Sequence, residues 1–339
     1  MSTISYKDAG VDIKAGEQAV SRIKSIVRET HTAKVLTDIG GFGGLFQPDL
    51  TNMSEPVLVS STDGVGTKLI VANMSGRYGS VGQDLVNHCV NDIFVQGATP
   101  LFFLDYIGVG KVHPEKMEQI VQGLAVACKQ NNVALIGGEM AEMPGIYRDE
   151  DFDLVGTIVG IIDKKDILTA NLVDTDDVVV GFCSTGLHTN GYSLARKILF
   201  DKMKLSVDSY VSELDDTLQN VLLQVHKSYY PLLKAWAKPD KIHVLAHITG
   251  GGIPGNLKRV IPHGLCAEID CSAWSVPPVY QLMQEAGNIA APEMYCAFNM
   301  GIGMMAVAPS AVADELIEQA GGIRVGRIVA GNEKVRMIY

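Results

Sequence analysis

Alternating apolar runs and helix-period segments constrain the fold of this 339-residue chain more than any other sequence feature. Runs typical of strands cover residues 57–60, 101–107, 133–136 and 154–162. Apolar residues recur at helical spacing over residues 15–28, 84–95 and 114–130. Strands that alternate with helices indicate a layered α/β domain, and the pattern alone leaves open whether neighbouring strands run parallel or antiparallel.

The second half of the chain repeats this mixed pattern after a polar boundary. Polar and acidic residues at 163–166 and 171–177 precede a new strand that begins at residue 178. We expect helices near residues 193–200, 215–234, 278–287 and 311–319, and strands near 265–269, 302–307 and 324–329. The length is sufficient for two domains, which we place at residues 1–168 and 169–339.

The most informative local motif is Ser-Thr-Asp-Gly-Val-Gly-Thr-Lys at residues 61–68, where the first strand ends in a turn. It combines a carboxylate, two glycines, a hydroxyl and an ammonium, in Asp63, Gly64, Gly66, Thr67 and Lys68. Asp63 could hold magnesium, the glycines admit backbone amides to a phosphate, and Lys68 adds charge for the same anion. A tight loop with a solvated lysine explains this segment equally well on its own.

Two further carboxylates extend this candidate nucleotide site. Asp92 lies in a mostly apolar helical pattern, where a metal ion would offset the cost of burying it, and an exposed Asp is the alternative. Glu139 follows a strand and two glycines. Asp63, Asp92 and Glu139 are oxygen donors without an accompanying Cys or His cluster, so we expect them to hold one or two Mg²⁺ ions on ATP. The glycine run 40–44, with Gly43 and Gly44, is either a flexible turn or a lid over the nucleotide.

Two polar turns in the second half are candidates for substrate binding. The turn 185–193 joins a strand to a helix, and His188 and Asn190 could contact a phosphate there, although a capping explanation needs only the later residues. The turn 246–256 contains His247 and matches a dinucleotide-binding glycine pattern weakly. A glycine-rich turn that binds a phosphate or ribose near His247 fits equally well. The sequence contains no P-loop, kinase catalytic loop or nucleophile elbow, so ATP use would require an uncommon fold.

Composition limits the partners and the compartment. The net charge of −10 argues against a nucleic-acid or anionic-membrane surface, so we expect neither partner. Six scattered cysteines without a Cys-x-x-Cys pair indicate a reducing compartment. The first eight residues lack the apolar core of a signal peptide, and we therefore expect a cytoplasmic protein.

Several segments in chain order resemble the phosphoribosylformylglycinamidine cyclo-ligase family, the aminoimidazole ribonucleotide (AIR) synthetases. They are residues 6–13, 63–69, 90–93, 137–139 with 141–145, 188–193 and 247–252. The resemblance implies the two-domain, mixed-sheet α/β (α+β) fold of the AIR synthetase superfamily. Its amino-terminal domain would pair in a dimeric β-barrel, followed by a carboxy-terminal α/β domain. One departure is Met140, where the family more often has Thr.

The resemblance also implies an activity and roles for the candidate residues. The activity would be ATP-dependent cyclisation of formylglycinamidine ribonucleotide to 5-aminoimidazole ribonucleotide by a homodimer, through an iminophosphate, in purine biosynthesis. Asp63 and Asp92 would be magnesium ligands, and Lys24 and Lys68 would contact nucleotide phosphates. The clusters around His188 and His247 would face the ribotide.

Asp92, His188 and His247 are the candidate catalytic residues, with either His188 or His247 moving the proton lost on ring closure. Two alternatives remain open at this point. One is a different ATP-dependent phosphotransferase on the same fold, such as a small-molecule kinase. The other is a regulatory protein that binds nucleotide without turning it over.

Overall fold

The computed structural model describes Tyr6 and residues 8–339. Residues 1–5 and Lys7 lie outside the described residues. They include most of the first eight residues, in which we expected no signal peptide, and one residue of the segment 6–13. The first half contains α1 (Ile13–Arg28), β1 (Pro56–Gly64), α2 (Lys68–Ser75), α3 (Gly79–Phe94), β2 (Thr99–Val109), α4 (Pro114–Gln130), β3 (Ala134–Glu142) and β4 (Phe152–Asp163).

The second half, after two short 3₁₀ turns, contains both longer strands and many short helices. Its elements are β5 (Val178–Cys183), α5 (Tyr192–Arg196), β6 (Tyr210–Val211), β7 (Asp216–Thr217), α6 (Leu218–Leu222), α7 (Tyr230–Leu233), β8 (Val244–His247), α8 (Gly252–Leu257), β9 (Leu265–Asp270), α9 (Pro278–Gly287), α10 (Ala291–Ala297), β10 (Ile302–Ala308), α11 (Ser310–Ala320), β11 (Ile323–Ala330) and β12 (Val335–Ile338).

The first half folds around a four-stranded sheet in the order β1-β4-β2-β3. β4 runs antiparallel to both β1 and β2, whereas β2 and β3 are parallel, so the sheet is mixed. α3 and α4 pack together in very close contact. A Cβ atom on Gly82 would lie 2.2 Å from the carbonyl oxygen of Ile120, and one on Gly123 would lie 2.1 Å from that of Gly79. Only glycine permits this approach of the two backbones.

The other face of this first sheet is open in the single chain. Side chains alternate along β4, so that Leu154 and Ile158 are buried while Val155 and Thr157 remain partly accessible. The hydroxyls of Thr62 and Thr157 lie 2.9 Å apart on this open face. Leu58, four residues before Thr62 on β1, is 67% exposed. The open face therefore carries both apolar and hydroxyl side chains.

The second half folds around a six-stranded sheet in the order β12-β9-β11-β5-β10-β8. All neighbours in it are antiparallel except β12 and β9, which are parallel. Residues of β5 and β10 are almost completely buried, as expected for central strands covered on both faces. The predicted α/β (α+β) class with mixed sheets in two layered halves is confirmed.

The helix expected at residues 215–234 is wrong. Only Leu218–Leu222 and Tyr230–Leu233 are helical, and the segment between them, residues 223–229, runs without regular structure against α3. Its backbone groups bond to side chains of α3 instead of to each other, which offsets the hydrogen bonds that a continuous helix would make. We call residues 223–229 the strap.

The connection between the halves runs from Asp163 at the end of β4 to Val178 at the start of β5. The boundary predicted after residue 168 falls within it and stays a prediction. Among the described residues, no helix combines the length and apolar character needed to cross a bilayer.

Candidate active site between the two halves

The candidate site is built where α3 meets the strap. Asp84, Asn87 and Asn91 are buried and lie three or four residues apart, so they share one face of α3. Asp84 Oδ1 accepts from the backbone N–H of His226 at 2.7 Å, and Asn87 donates to the carbonyl of His226 at 2.7 Å. Asn91 donates to the carbonyl of Lys227 and accepts from the backbone N–H of Tyr229, both at 2.9 Å. This polar face fixes the backbone of the strap.

Four imidazoles meet at this junction. They are His88 of α3, His188 of the turn 185–193, His226 of the strap and His247 at the end of β8. His188 and His226 are stacked with ring centroids 4.0 Å apart, and the other contacting pairs are 5.1–5.2 Å apart. All four side chains are buried, at 6% exposure or less. The sequence distributes them over four separate elements, so only the fold brings them together.

A continuous chain of polar contacts links the two aspartates through three of these imidazoles. Its steps are Asp63 Oδ2 to His88 Nε2 (2.8 Å), His88 Nδ1 to Thr189 Oγ1 (2.8 Å), Thr189 Oγ1 to His226 Nδ1 (3.3 Å), His226 Nε2 to His247 Nε2 (2.9 Å) and His247 Nδ1 to Asp92 Oδ1 (2.8 Å). The second oxygen of Asp92 lies 3.7 Å from His88 Nε2. The contacts thus bring Asp63 and Asp92 to the same imidazole.

The geometry of the chain determines how many protons it holds. Between the Nε2 atoms of His226 and His247, one nitrogen must donate and the other must accept. His88 Nε2 and His247 Nδ1 both donate to carboxylates. The Thr189 hydroxyl has one proton and lies between the Nδ1 atoms of His88 and His226, so it can donate to only one of them. All of these hydrogen bonds can therefore form only when one of the imidazoles carries a second proton and is a cation. The electrostatics place that cation on His88, beside Asp63.

The pKa shifts have distinct causes. Burial acts to lower the pKa of His88, but the hydrogen bond to Asp63 and the charges of Asp92 and Asp63 raise it above its ordinary value overall. Partial burial acts to raise the pKa of Asp63, but the His88 bond and charge lower it overall. Burial lowers the pKa of His188, His226 and His247, and neighbouring imidazoles add to this effect, so these rings are neutral.

Lys68 lies in a different environment from the one predicted. Its side chain has no exposed surface and pairs with Asp84 at 2.7 Å. Its Nζ also donates to the carbonyls of His188 at 3.2 Å and Gln224 at 2.7 Å. Because these three contacts occupy the ammonium group inside the protein, Lys68 joins the two halves and, in the part of the chain that the structure describes, faces no cavity of the first sheet.

The rest of the turn 61–68 remains near the site. The backbone N–H of Gly64 donates to Asp63 Oδ1 at 2.7 Å, and Gly66 adopts a φ of 70°, which favours glycine. The hydroxyls of Thr67 and Ser193 lie 3.1 Å apart. This turn therefore contacts the turn 185–193 across the junction.

His188 and Asn190 also lie at the junction. His188 has a φ of 61°, a left-handed conformation that is unusual for a residue with a side chain. Its Nε2 accepts the backbone N–H of Thr185 at 3.2 Å, so the neutral ring carries its proton on Nδ1, which has no hydrogen-bond partner among the described residues. The side-chain oxygen of Asn190 would lie 3.3 Å from a Cβ atom on Gly250. The two polar turns predicted from the sequence are thus adjacent.

Glu139 is not part of this cluster within one chain. It lies on β3, three strands away from Asp63 on β1, which is on the order of 14 Å at ordinary strand spacing. The site also contains nitrogen donors beside the carboxylates, because the imidazoles of His88 and His247 contact the two aspartates. The expectation of a carboxylate set without histidines is wrong.

Two cavities lie at the β3 edge of the first sheet, beside α1. One of about 630 Å³ is lined by Gly43 and Gly44 of the glycine run, by Glu139 and by Asp105. Burial raises the pKa of Asp105 to about 7. The second cavity, of about 530 Å³, is lined by Lys24 of α1. Met140 lines both cavities, so the position that departs from the resembled family lies between them.

Sequence reasoning missed His88, His226 and Asp84. His88 precedes Asp92 by one helical turn, and that spacing was the available signal. His226 lay in a segment predicted to be helical, so no pattern placed it near the other histidines.

Known proteins resemble the whole chain. Residues 50–162 match the family described as AIR synthase related protein, N-terminal domain, and residues 174–338 match AIR synthase related protein, C-terminal domain. A phosphoribosylformylglycinamidine cyclo-ligase of Geotalea uraniireducens (strain Rf4) is 46% identical over 345 residues, covering 99% of each chain. That of Bacillus cytotoxicus is 47% identical over 332 residues, covering 96% of each.

Solved structures share the fold at lower identity. Thiamine-monophosphate kinase from Stenotrophomonas maltophilia K279a superposes with a TM-score of 0.69 at 18% identity, covering 93% of this chain and 95% of that one. The hydrogenase maturation protein HypE in complex with ATP superposes with a TM-score of 0.63 at 18% identity, covering 97% and 93%.

Proposed function

Because this chain belongs to the phosphoribosylformylglycinamidine cyclo-ligase family, we propose that the junction of α3, the strap and the two polar turns is its active site. The activity is ATP-dependent cyclisation of formylglycinamidine ribonucleotide to 5-aminoimidazole ribonucleotide, a ring closure of purine biosynthesis. The observation that carries this conclusion is the 46% identity over 99% of a curated relative.

We place the nucleotide at the first sheet, with Lys24, Gly43, Gly44 and Glu139 as candidate contacts. The two cavities that these residues line support the placement, as does a solved structure of the same fold in complex with ATP. Gly64, Gly66 and Thr67 remain candidate phosphate contacts, since their turn borders the junction. Lys68 is left out of this set because it is buried against Asp84.

Asp63 and Asp92 are our candidates for holding Mg²⁺. Their side chains are 44% and 25% exposed, so their oxygens are accessible from the junction. When bound, the ion would neutralise charge on the transferring phosphoryl group. Glu139 is too far from this pair in one chain to share the same ion. We propose Glu139 as a ligand only for a second ion, in the nucleotide cavity that it lines.

The chemistry we propose has two steps. ATP phosphorylates the formyl oxygen of the ribotide to give an iminophosphate, because an amide oxygen is itself a poor leaving group. The amidine nitrogen then attacks the activated carbon, and phosphate leaves as the ring closes. Holding the two ends of one molecule in contact can supply roughly 7–11 kcal/mol of the barrier.

The two candidate histidines for the proton step, His188 and His247, differ in their contacts. Both ring nitrogens of His247 are occupied, by Asp92 and by His226. His188 keeps an N–H without a partner among the described residues, and its ring is neutral. We therefore assign the substrate contact to His188, and the orientation of Asp92 to His247.

The open face of the first sheet supports a homodimer. Leu58, Thr62, Val155 and Thr157 share it, and two such faces would cover one another. We also place the reaction in the cytoplasm. All six cysteines are free thiols, which is consistent with a reducing compartment.

The test is to mix purified protein with Mg²⁺, ATP and formylglycinamidine ribonucleotide. The proposal expects 5-aminoimidazole ribonucleotide with one ADP per product. A phosphorylated small molecule without ring closure would instead support a kinase, and nucleotide binding without product would support a regulatory protein.

A further inference from the structure

Asp105 places a carboxyl group in the larger of the two cavities at the first sheet. It lies on β2 and lines the cavity of about 630 Å³, together with Glu139 and the glycine run. Among the described residues, only its own backbone N–H donates a hydrogen bond to this carboxyl group, and no Lys, Arg or His pairs with it. An acidic group without a partner in the folded chain is available to a ligand.

Gly138 keeps one oxygen of this carboxyl group open to the cavity. The two residues lie directly opposite each other in the parallel pair of β2 and β3. A Cβ atom on Gly138 would lie 2.4 Å from Asp105 Oδ1, so any other residue would cover or displace that oxygen. Gly138 itself lines the same cavity. The pair therefore leaves a hydrogen-bond acceptor within reach of a ligand in the cavity.

The other two acidic residues of this cavity are held differently. Asp38 pairs with Arg28, whose guanidinium contacts both of its oxygens. Glu139 is exposed and so faces solvent. Asp105 is only partly accessible, and burial raises its pKa to about 7. Of the acidic residues in the described lining, Asp105 is therefore the one that lacks both a cation and full hydration.

The walls of this cavity are mainly apolar. They come from α1, α4, β2 and β3 and comprise Val20, Ile23, Val27, Ile107, Val121 and Leu135. Apolar walls with one acceptor suit a flat heteroaromatic ring that carries an N–H group, whereas a carboxylate repels a triphosphate. The base of a nucleotide therefore fits this cavity better than its phosphates do. Lys24, which lines the neighbouring cavity, supplies the opposite charge that phosphates require.

We propose that Asp105 accepts a hydrogen bond from the 6-amino group of the adenine base and is a specificity-determining residue for the nucleotide. This inference rests on the proposed placement of the nucleotide in this cavity, and it adds which part of the nucleotide is recognised there and by which residue. A nucleotide without the amino group would bury the acceptor without a partner, which is costly.

The experiment compares two nucleotides by isothermal titration calorimetry of the full chain, with Mg²⁺ and without ribotide. One is ATP, and the other is purine riboside 5′-triphosphate, which has a hydrogen atom in place of the 6-amino group. We expect the parent protein to bind ATP more tightly by a factor on the order of 10–100, the size expected for a hydrogen bond to a charged group.

Three variants locate the contact. Asp105→Leu removes the acceptor and should bind the two nucleotides equally. Asp105→Asn keeps an acceptor oxygen and should retain most of the preference for ATP. Glu139→Gln changes the exposed acidic residue of the same cavity, and should alter the two affinities by the same factor. Circular dichroism and urea unfolding check that each variant is folded.

Equal affinities in the parent protein would overturn the inference. A preference for ATP that Asp105→Leu retains would also overturn it, even if both affinities fall, since that result would place the sugar at Asp105. If Asp105→Leu does not fold, the 6-dimethylamino analogue of ATP decides with the parent protein alone. This analogue keeps the base but has no N–H group to donate, so binding as tight as that of ATP would contradict the contact.

The ring-closure assay separates this inference from the proposed function. A preference for ATP that Asp105→Leu abolishes, in a protein that forms no 5-aminoimidazole ribonucleotide, would contradict the proposed function and leave the base contact standing. Ring closure with equal affinities for the two nucleotides would contradict the base contact alone.

Discussion

Lys68 and Asp84 form an ion pair without exposed surface at the junction of the two halves. Removing one partner of such a pair leaves a buried charge uncompensated. We expect Lys68→Met to lower the free energy of unfolding by roughly 3–5 kcal/mol. The double variant Lys68→Met/Asp84→Asn should recover part of that loss, because both charges are gone while Asn can still accept from the strap. Urea unfolding measures both.

The matched control for this prediction is Lys129→Met. Lys129 pairs with Glu29 on the surface, where both side chains are at least half exposed. Such pairs contribute about 0–1 kcal/mol, so the control should change stability little. An equal loss in both lysine variants, or a double variant no more stable than the single one, would contradict the assignment of Lys68 to the junction.

We expect Asp63 to affect the rate of turnover more than the stability of the fold. Asp63→Asn keeps the shape of the side chain but removes the charge that faces His88 and the candidate metal. We expect the rate of AIR formation to fall on the order of 10²–10³-fold, with the circular dichroism unchanged. Asp240→Asn, at an exposed position, is the control. An unchanged rate in Asp63→Asn would remove Asp63 from the site.

At the residue scale, the sequence predicted where the site lies better than what each residue does. Asp63, Asp92, His188 and His247 do converge. Three of them lie at turns or strand ends, which are readable from local patterns, and Asp92 lies in the predicted helix α3. The role of Lys68 was not predictable, since a buried and a solvated lysine look alike in sequence. His226 depends entirely on contacts over long sequence separations.

At the scale of elements, α3 and α4 offer a sharp test of packing. Gly82→Ala places a methyl group 2.2 Å from the carbonyl oxygen of Ile120, so the two helices must separate. We expect the unfolding free energy to fall by about 1–3 kcal/mol or more, the loss seen for overpacked cores.

Gly16→Ala is the matched control for that substitution. Gly16 is also helical, in α1, but nothing lies within 4 Å of its added Cβ. Alanine is preferred to glycine in helices by up to about 1 kcal/mol, so this variant should be slightly more stable than the parent. Opposite signs for the two substitutions are the expected result in thermal unfolding, and equal effects would contradict the close packing.

The helices best predicted from sequence are those with an amphipathic repeat and a proline at the start. The bounds of α4 and α9 coincide with the predictions. α4 begins at Pro114 and α9 begins at Pro278. The helix expected at 215–234 has apolar residues at suitable spacing, but hydrogen bonds to α3 favour an irregular strap. A local pattern cannot include partners that lie more than 130 residues away.

At the scale of the whole molecule, the histidine cluster makes stability depend on pH. His188 and His226 have lowered pKa values, so below their ordinary pKa of about 6.5 the unfolded chain binds protons that the folded chain does not. Stability should therefore fall as the pH decreases, on the order of 1 kcal/mol per pH unit for each ring. His88 has a raised pKa, so its contribution is lost as the pH rises through the folded value.

Urea unfolding in EDTA at about pH 5.5, 6.5 and 8 measures this dependence. The maximum is expected close to the ordinary histidine pKa, between the two opposing effects. In His226→Leu, the acid side should become less steep because one buried ring is gone. Stability that increases steadily toward pH 5.5 would contradict the buried neutral rings.

The proposed homodimer is tested on the open face of the first sheet. Leu58→Glu places a charge on an apolar position of that face, which is 67% exposed in one chain. We expect the variant to sediment as a monomer where the parent sediments as a dimer, because burying an unpaired carboxylate is costly. Ile338→Glu, on an exposed position of β12, should not change the sedimentation. A dimeric Leu58→Glu protein would place the interface elsewhere.

The strap makes the folding of the first half of the chain depend on the second half. A polypeptide ending at residue 168 would leave Asp84, Asn87 and Asn91 facing water on a helix that otherwise packs in the interior. A gene split at that point would therefore encode two fragments that each lack native order, and mixing them should restore it. Such complementation would make the two halves one cooperative unit, despite their separate sheets.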